Sequence, residues 1–156
     1  MTTRWIVAAL HLLALGIGLG AVWARGRAFQ GSLDTAGLRR TFYADTWWGI
    51  AAALWIATGL ARAFGGLEKG AAYYLHNHVF WAKMALLCVI LVLEVVPMLT
   101  LIRWRLLLGR GEHPDTGMAP RLATISYVEA VLVVLMILAA TAMARGYGAT
   151  GTVSHV

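Results

Sequence analysis

The 156-residue chain is 60% hydrophobic and only 13% charged, with a net charge of +6 and one cysteine. Soluble domains hold about 45–50% apolar and roughly 25% charged residues, so this balance excludes a soluble fold and marks an integral membrane protein. The basic residues border the apolar runs, which argues for membrane orientation and against nucleic acid, and the lone Cys88 excludes an intramolecular disulfide.

Four apolar stretches, residues 5–23, 46–64, 79–102 and 122–144, stand out along the chain. Each approaches the ~20 residues that span ~30 Å of hydrocarbon. None alternates as a barrel strand would, and a spanning segment must satisfy its own backbone, so all four are expected to be helices. The predicted fold is therefore all-α: an antiparallel four-helix transmembrane bundle, one domain over residues 1–156. The first stretch, preceded by Arg4 and ending in Val22-Trp23-Ala24, competes with a signal-peptide reading. Its length, the bulky Trp23 and the odd number of helices that removal would leave favour a retained helix.

Gly16, Gly18 and Gly20 thin the first helix, while Gly49, Ala53, Ala57 and Ala61 give the second a small-residue seam suited to close approach in lipid. Trp5, Trp23, Trp47, Trp48, Trp81 and Trp104 fall near predicted helix ends, as an interfacial belt would, and Trp55 lies deep. Pro97 is expected to kink the third helix. Arg25, Arg27, Arg39 and Arg40 fall in the first connection, and Arg103, Arg105, Arg110 and Arg121 in the third. The opposite side holds Arg4, Arg62, Lys69 and Arg145. This excess predicts a bacterial inner-membrane protein with the first and third loops cytoplasmic and both termini periplasmic.

A rise of 1.5 Å per residue converts position to depth. His11 falls roughly 10 Å below the outer end of the first helix and Lys83 roughly 5–8 Å below that of the third, so the two can share a level. His76 and His78 sit above them. Glu94 lies roughly 21 Å down from the outside and Glu129 roughly 11 Å up from the inside, which brings both carboxylates to one level in the inner half. Lys83 and Glu94 are eleven residues apart, about three turns, and share a face. Each residue has two readings. His11 is a ligand or an interhelical hydrogen bonder, and Lys83 a site residue or a snorkelling side chain. Glu94 and Glu129 form a proton or ion path, or bond to hydroxyls such as Thr58 or Ser126. His113 and His155 read as loop and tail residues.

Val7-Ala8-Ala9-Leu10-His11-Leu12-Leu13 resembles the first-helix pattern of the HemJ-type protoporphyrinogen oxidases and the CopD-like membrane proteins. Phe80-Trp81-Ala82-Lys83-Met84-Ala85-Leu86-Leu87 resembles the start of a later helix in that group. The HemJ pattern has a second histidine two residues before the lysine, where this chain has Trp81. The whole chain also resembles a bacterial family of four-helix membrane proteins of unknown function. The HemJ resemblance implies haem b within the bundle and a haem-dependent oxidoreductase, with His11 as an axial metal ligand and Lys83 as the catalytic residue, paired with a propionate or an anionic substrate. His76 or His78 would complete the cofactor site. Two alternatives stand beside it: a small ion- or proton-coupled transporter using Glu94 and Glu129, or an accessory subunit whose buried polar groups fix helix register. The lipid bilayer is a partner under each, and self-association or a larger membrane complex is expected.

Overall fold

The computed structural model describes residues 2–65 and 74–148, so Lys69 and His155 lie outside the described residues. Among the described residues, four helices make up the bundle: α1 (Thr2–Gln30), α2 (Thr35–Phe64), α3 (His78–Gly109) and α4 (Ala119–Ala144). They exceed the apolar stretches, mostly at one end of the bundle. The apolar count registers only the hydrocarbon, whereas helices of 26–32 residues are ~39–48 Å long and also cross the headgroup regions. Local chemistry sets the ends. Asp34 caps α2 by accepting from the Gly37 amide at 2.7 Å, and Asn77 caps α3 by accepting from Val79 and Phe80. Pro120 occupies the first turn of α4, where its missing N–H has no helical partner to lose. Arg25, Arg27, Arg39, Arg40, Arg103, Arg105 and Arg121, expected in connections, consequently lie inside helices.

Three helices, α1, α3 and α4, are long and apolar enough to cross a membrane. The 30-residue α2 is equally long and packs antiparallel along α1. Helix α4 packs against the other side of α1 and against α3, while α2 and α3 barely touch. The order around the bundle is thus α2–α1–α4–α3, with a seam between the outer two. One bundle end carries the 31–34 and 110–118 connections and most of the arginines; it is called the arginine-rich end. The other, the terminal end, carries the start of α1 and the end of α4. Helix α1 runs through the Val22-Trp23-Ala24 segment as an integral wall of the bundle.

The packed core differs from the expected seams. Gly18 meets α2, where a Cβ would stand 3.4 Å from both Trp48 and Ala51, but Gly16, Gly20 and Gly49 face open space. Ala53 and Ala57 are exposed, and α2 instead buries Ala44, Trp48, Ala51, Trp55 and Thr58. The large rings decide the rotation: their area outweighs the close approach that small residues would allow. Trp5, Trp23, Trp47 and Trp81 are exposed as a belt requires, whereas Trp48 and Trp104 belong to the core. Trp104 packs edge-on to Phe29 with centroids 6.2 Å apart.

Candidate functional site: an arginine held by three carboxylates

Arg25, fully buried near the arginine-rich end of α1, gathers one side chain or more from every other helix. Its Nη1 donates to Asp45 Oδ1 of α2 and Glu94 Oε1 of α3, both at 2.8 Å. Its Nη2 donates to Glu94 Oε2 at 2.8 Å and to Glu129 Oε2 of α4 at 2.6 Å. Nε donates to Ser126 Oγ at 3.0 Å, one turn before Glu129 on the same face of α4. All five guanidinium N–H groups are therefore used, with a two-point fork on Glu94. The Trp48 ring lies 6.0 Å away. A further arginine, Arg105 of α3, donates through Nη2 to Asp45 Oδ2 at 2.8 Å and to the Phe42 carbonyl at 2.9 Å.

Exposure falls steeply through this chain of ion pairs. The Arg105 side chain is 37% exposed, Asp45 12% and Glu94 19%, while Arg25 and Glu129 are sealed at 0%. The cluster sets three carboxylates against two guanidiniums. Glu129 Oε1 is buried with no hydrogen-bond partner, an unusual position for an atom whose desolvation ordinarily demands one.

A second polar level lies toward the terminal end. His11 Nδ1 sits 2.9 Å from Thr58 Oγ1 and 3.1 Å from the Trp55 carbonyl. The Thr58 hydroxyl already donates to the Leu54 carbonyl at 2.7 Å, so both atoms facing Nδ1 are acceptors. That arrangement assigns the proton to Nδ1 and leaves a lone pair on Nε2. The imidazole stacks on Trp55 with centroids 5.9 Å apart, and Gly59 makes room for it, since a Cβ there would stand 3.2 Å from His11 Cε1. The charges of Arg62 and Lys83 both act on the His11 ring. Lys83 is half-buried and forms no ion pair among the described residues. His76 and His78 are exposed. No group of three or more histidine, cysteine or acidic side chains is arranged to hold a metal among the described residues.

An apolar layer containing Ala14, Trp48, Trp55, Ile90 and Val133 separates the two levels. A cavity of about 10 Å³ beside Gly18 and the two tryptophans is room for about one water. The space beside Gly18 is filled by Trp48 and Ala51.

Sequence reasoning paired Glu94 with Glu129, and Arg25 joins them. It missed Arg25, Asp45 and Arg105 because all three were assigned to connections or to their borders. The available signal was an acid and two arginines lying within a helical turn or two of the expected helix ends.

Fold and charge centre together define an all-α integral membrane protein, a four-helix bundle with a buried acid–base cluster. Residues 3–148 match the model of the family DUF2214, described as a predicted membrane protein, and the chain belongs to that family. No curated protein and no solved structure matches it.

Proposed function

We propose that the protein is a small ion- or proton-coupled transporter of the bacterial inner membrane, with Glu94 and Glu129 as its ion-carrying pair. The arginine-rich end would face the cytoplasm and the termini the periplasm, as the distribution of basic residues favours. The observation that carries this reading is the charge imbalance around a sealed carboxylate. Three acids meet two guanidiniums, and Glu129 keeps one buried oxygen without a partner. A proton or small cation on the Glu94–Glu129 pair balances the charge and gives that oxygen a role. The apolar layer would prevent a standing leak between the two polar levels.

Reconstitution in liposomes containing a pH-sensitive dye tests the reading. Glu129→Gln and Glu94→Gln are each expected to abolish flux driven by an imposed gradient. Unchanged flux in both variants sinks the proposal and leaves the cluster as a lock on helix register. Assembly with a second copy or a larger membrane complex belongs to the same proposal, and cross-linking in native membranes would detect it.

One observation favours the haem reading of the HemJ/CopD-like group as a second possibility: the free lone pair on Nε2 of His11. On that reading His11 holds haem b, and Lys83 faces a propionate or an anionic substrate as the reacting group. His76 or His78 would have to turn inward from an exposed position. A Soret band that shifts with dithionite and disappears in His11→Ala supports it; a colourless, folded protein ends it.

A further inference from the structure

The backbones of α2 and α3 seldom approach each other among the described residues, and at the arginine-rich end one side chain bridges them by hydrogen bonds. From α3, Arg105 Nη2 reaches across to Asp45 Oδ2 at 2.8 Å, the Phe42 carbonyl at 2.9 Å and Thr46 Oγ1 at 3.3 Å. Its guanidinium also lies 5.1 Å from the Phe42 ring centroid. Every one of these partners belongs to α2, although the two helices otherwise barely approach. Beneath this bridge, Asp45 passes the interaction to Arg25 through its other oxygen, and Arg25 holds the sealed Glu129. Exposure falls from 37% at Arg105 through 12% at Asp45 to 0% at Glu129, which describes one approach to the sealed acid, while Glu94, at 19%, is itself partly exposed.

We infer that Arg105 is the latch on this approach: a positioning residue that governs the access of water and protons to the sealed Glu129. The inference rests on the ion-coupled reading for its purpose, though not for its geometry. Three features make Arg105 suited to the task. Its guanidinium is partly exposed, so an anion or water can compete for it, as neither can for Arg25. Its three α2 partners are an acid, a carbonyl and a hydroxyl, each of which water can replace. Its release would leave Asp45 bound to Arg25 alone, so α2 could part from α3 without dismantling the deeper fork on Glu94. All three contacts come from one nitrogen, so lysine at this position keeps the charge and can offer its own N–H groups to the same acceptors.

The test reads access directly and needs no transport. The full-length protein in detergent is treated with a water-soluble carbodiimide and a small amine, and labelling of each carboxyl is followed by peptide mass spectrometry. Glu112, exposed in the 110–118 connection, is the internal standard. Arg105→Gln is expected to raise labelling of Glu129 relative to Glu112 by about tenfold, as loss of charge-assisted hydrogen bonds would allow. Arg105→Lys is expected to return most of the protection, and Thr46→Val to produce a smaller rise. An unchanged Glu129/Glu112 ratio in a folded Arg105→Gln protein overturns the latch. If that variant does not fold, an unchanged ratio in Thr46→Val overturns it. Absence of flux in wild-type liposomes would instead defeat the transporter reading and leave this result standing.

Discussion

The two polar levels of the bundle solve the problem of buried charge in opposite ways. Near the arginine-rich end, cation and anions meet directly, and Arg25 spends every N–H on a partner. Toward the terminal end, His11 avoids charge: it hydrogen-bonds to two acceptors on α2 and lies near the like-signed Arg62 and Lys83. The first arrangement ties four helices together, whereas the hydrogen bonds of His11 tie only α1 to α2. Removing a member of the first should therefore leave unpaired charge in a sealed site, and removing a member of the second should cost one hydrogen bond.

The largest effect is expected from Arg25→Leu. It strands Glu94 and Glu129 with no cation, and loss of one partner from a buried ion pair costs about 3–5 kcal/mol. Thermal unfolding in detergent should show the loss. Adding Glu94→Leu and Glu129→Leu to that variant should restore at least half of it, because an apolar set of similar volume no longer carries stranded charge. Asp45 keeps Arg105 throughout. A triple variant no more stable than Arg25→Leu would mean that packing, and not charge, makes the cluster sensitive.

A pair of glycines sharpens the contrast at smaller cost. A Cβ at Gly26, one residue beyond Arg25, would stand 2.9 Å from Cε1 of Tyr127, whose hydroxyl is fixed on Gln30 at 3.0 Å. Gly26→Ala should lose about 1–3 kcal/mol through overpacking. At Gly59 the nearest atom is the edge of His11, 3.2 Å away. There the helix-propensity gain of about 1 kcal/mol offsets a small ring displacement, so Gly59→Ala should stay near wild type. Parallel melting curves would show the difference. Equal losses would mean that the terminal level is packed as rigidly as the arginine-rich end.

Much of the fold is legible in the sequence, because the hydrocarbon thickness turns each apolar run into a helix. The Glu94–Glu129 level is legible for the same reason: rise per residue is fixed, and two antiparallel helices convert position to a common depth. Arg25, Asp45 and Arg105 are not legible by that route. Each sits on a helix extended by capping and packing beyond its apolar run, where Asp34 starts α2 well before residue 46. The rotation of α2 is hidden too, since Gly49, Ala53 and Ala57 recur at the same spacing as a packing face. Only the partners of Trp48 and Trp55 on α1 decide between the two faces.

The last prediction probes the terminal level at the hydroxyl that faces His11. Thr58→Val removes the hydroxyl facing His11 Nδ1 at 2.9 Å but leaves the Trp55 carbonyl at 3.1 Å as an alternative acceptor. Loss of one neutral hydrogen bond with a second acceptor in place should cost about 0.5–1.5 kcal/mol, and Thr58→Ser should be nearly silent. Nitrogen chemical shifts of a labelled His11 should keep the pattern of a neutral ring protonated on Nδ1 in both variants, because the Trp55 carbonyl alone suffices to hold that tautomer. A switch to the other tautomer in Thr58→Val would assign the choice to the hydroxyl. A loss matching that of Arg25→Leu would erase the distinction between the two levels, since a single hydrogen bond would then count for as much as a stranded charge.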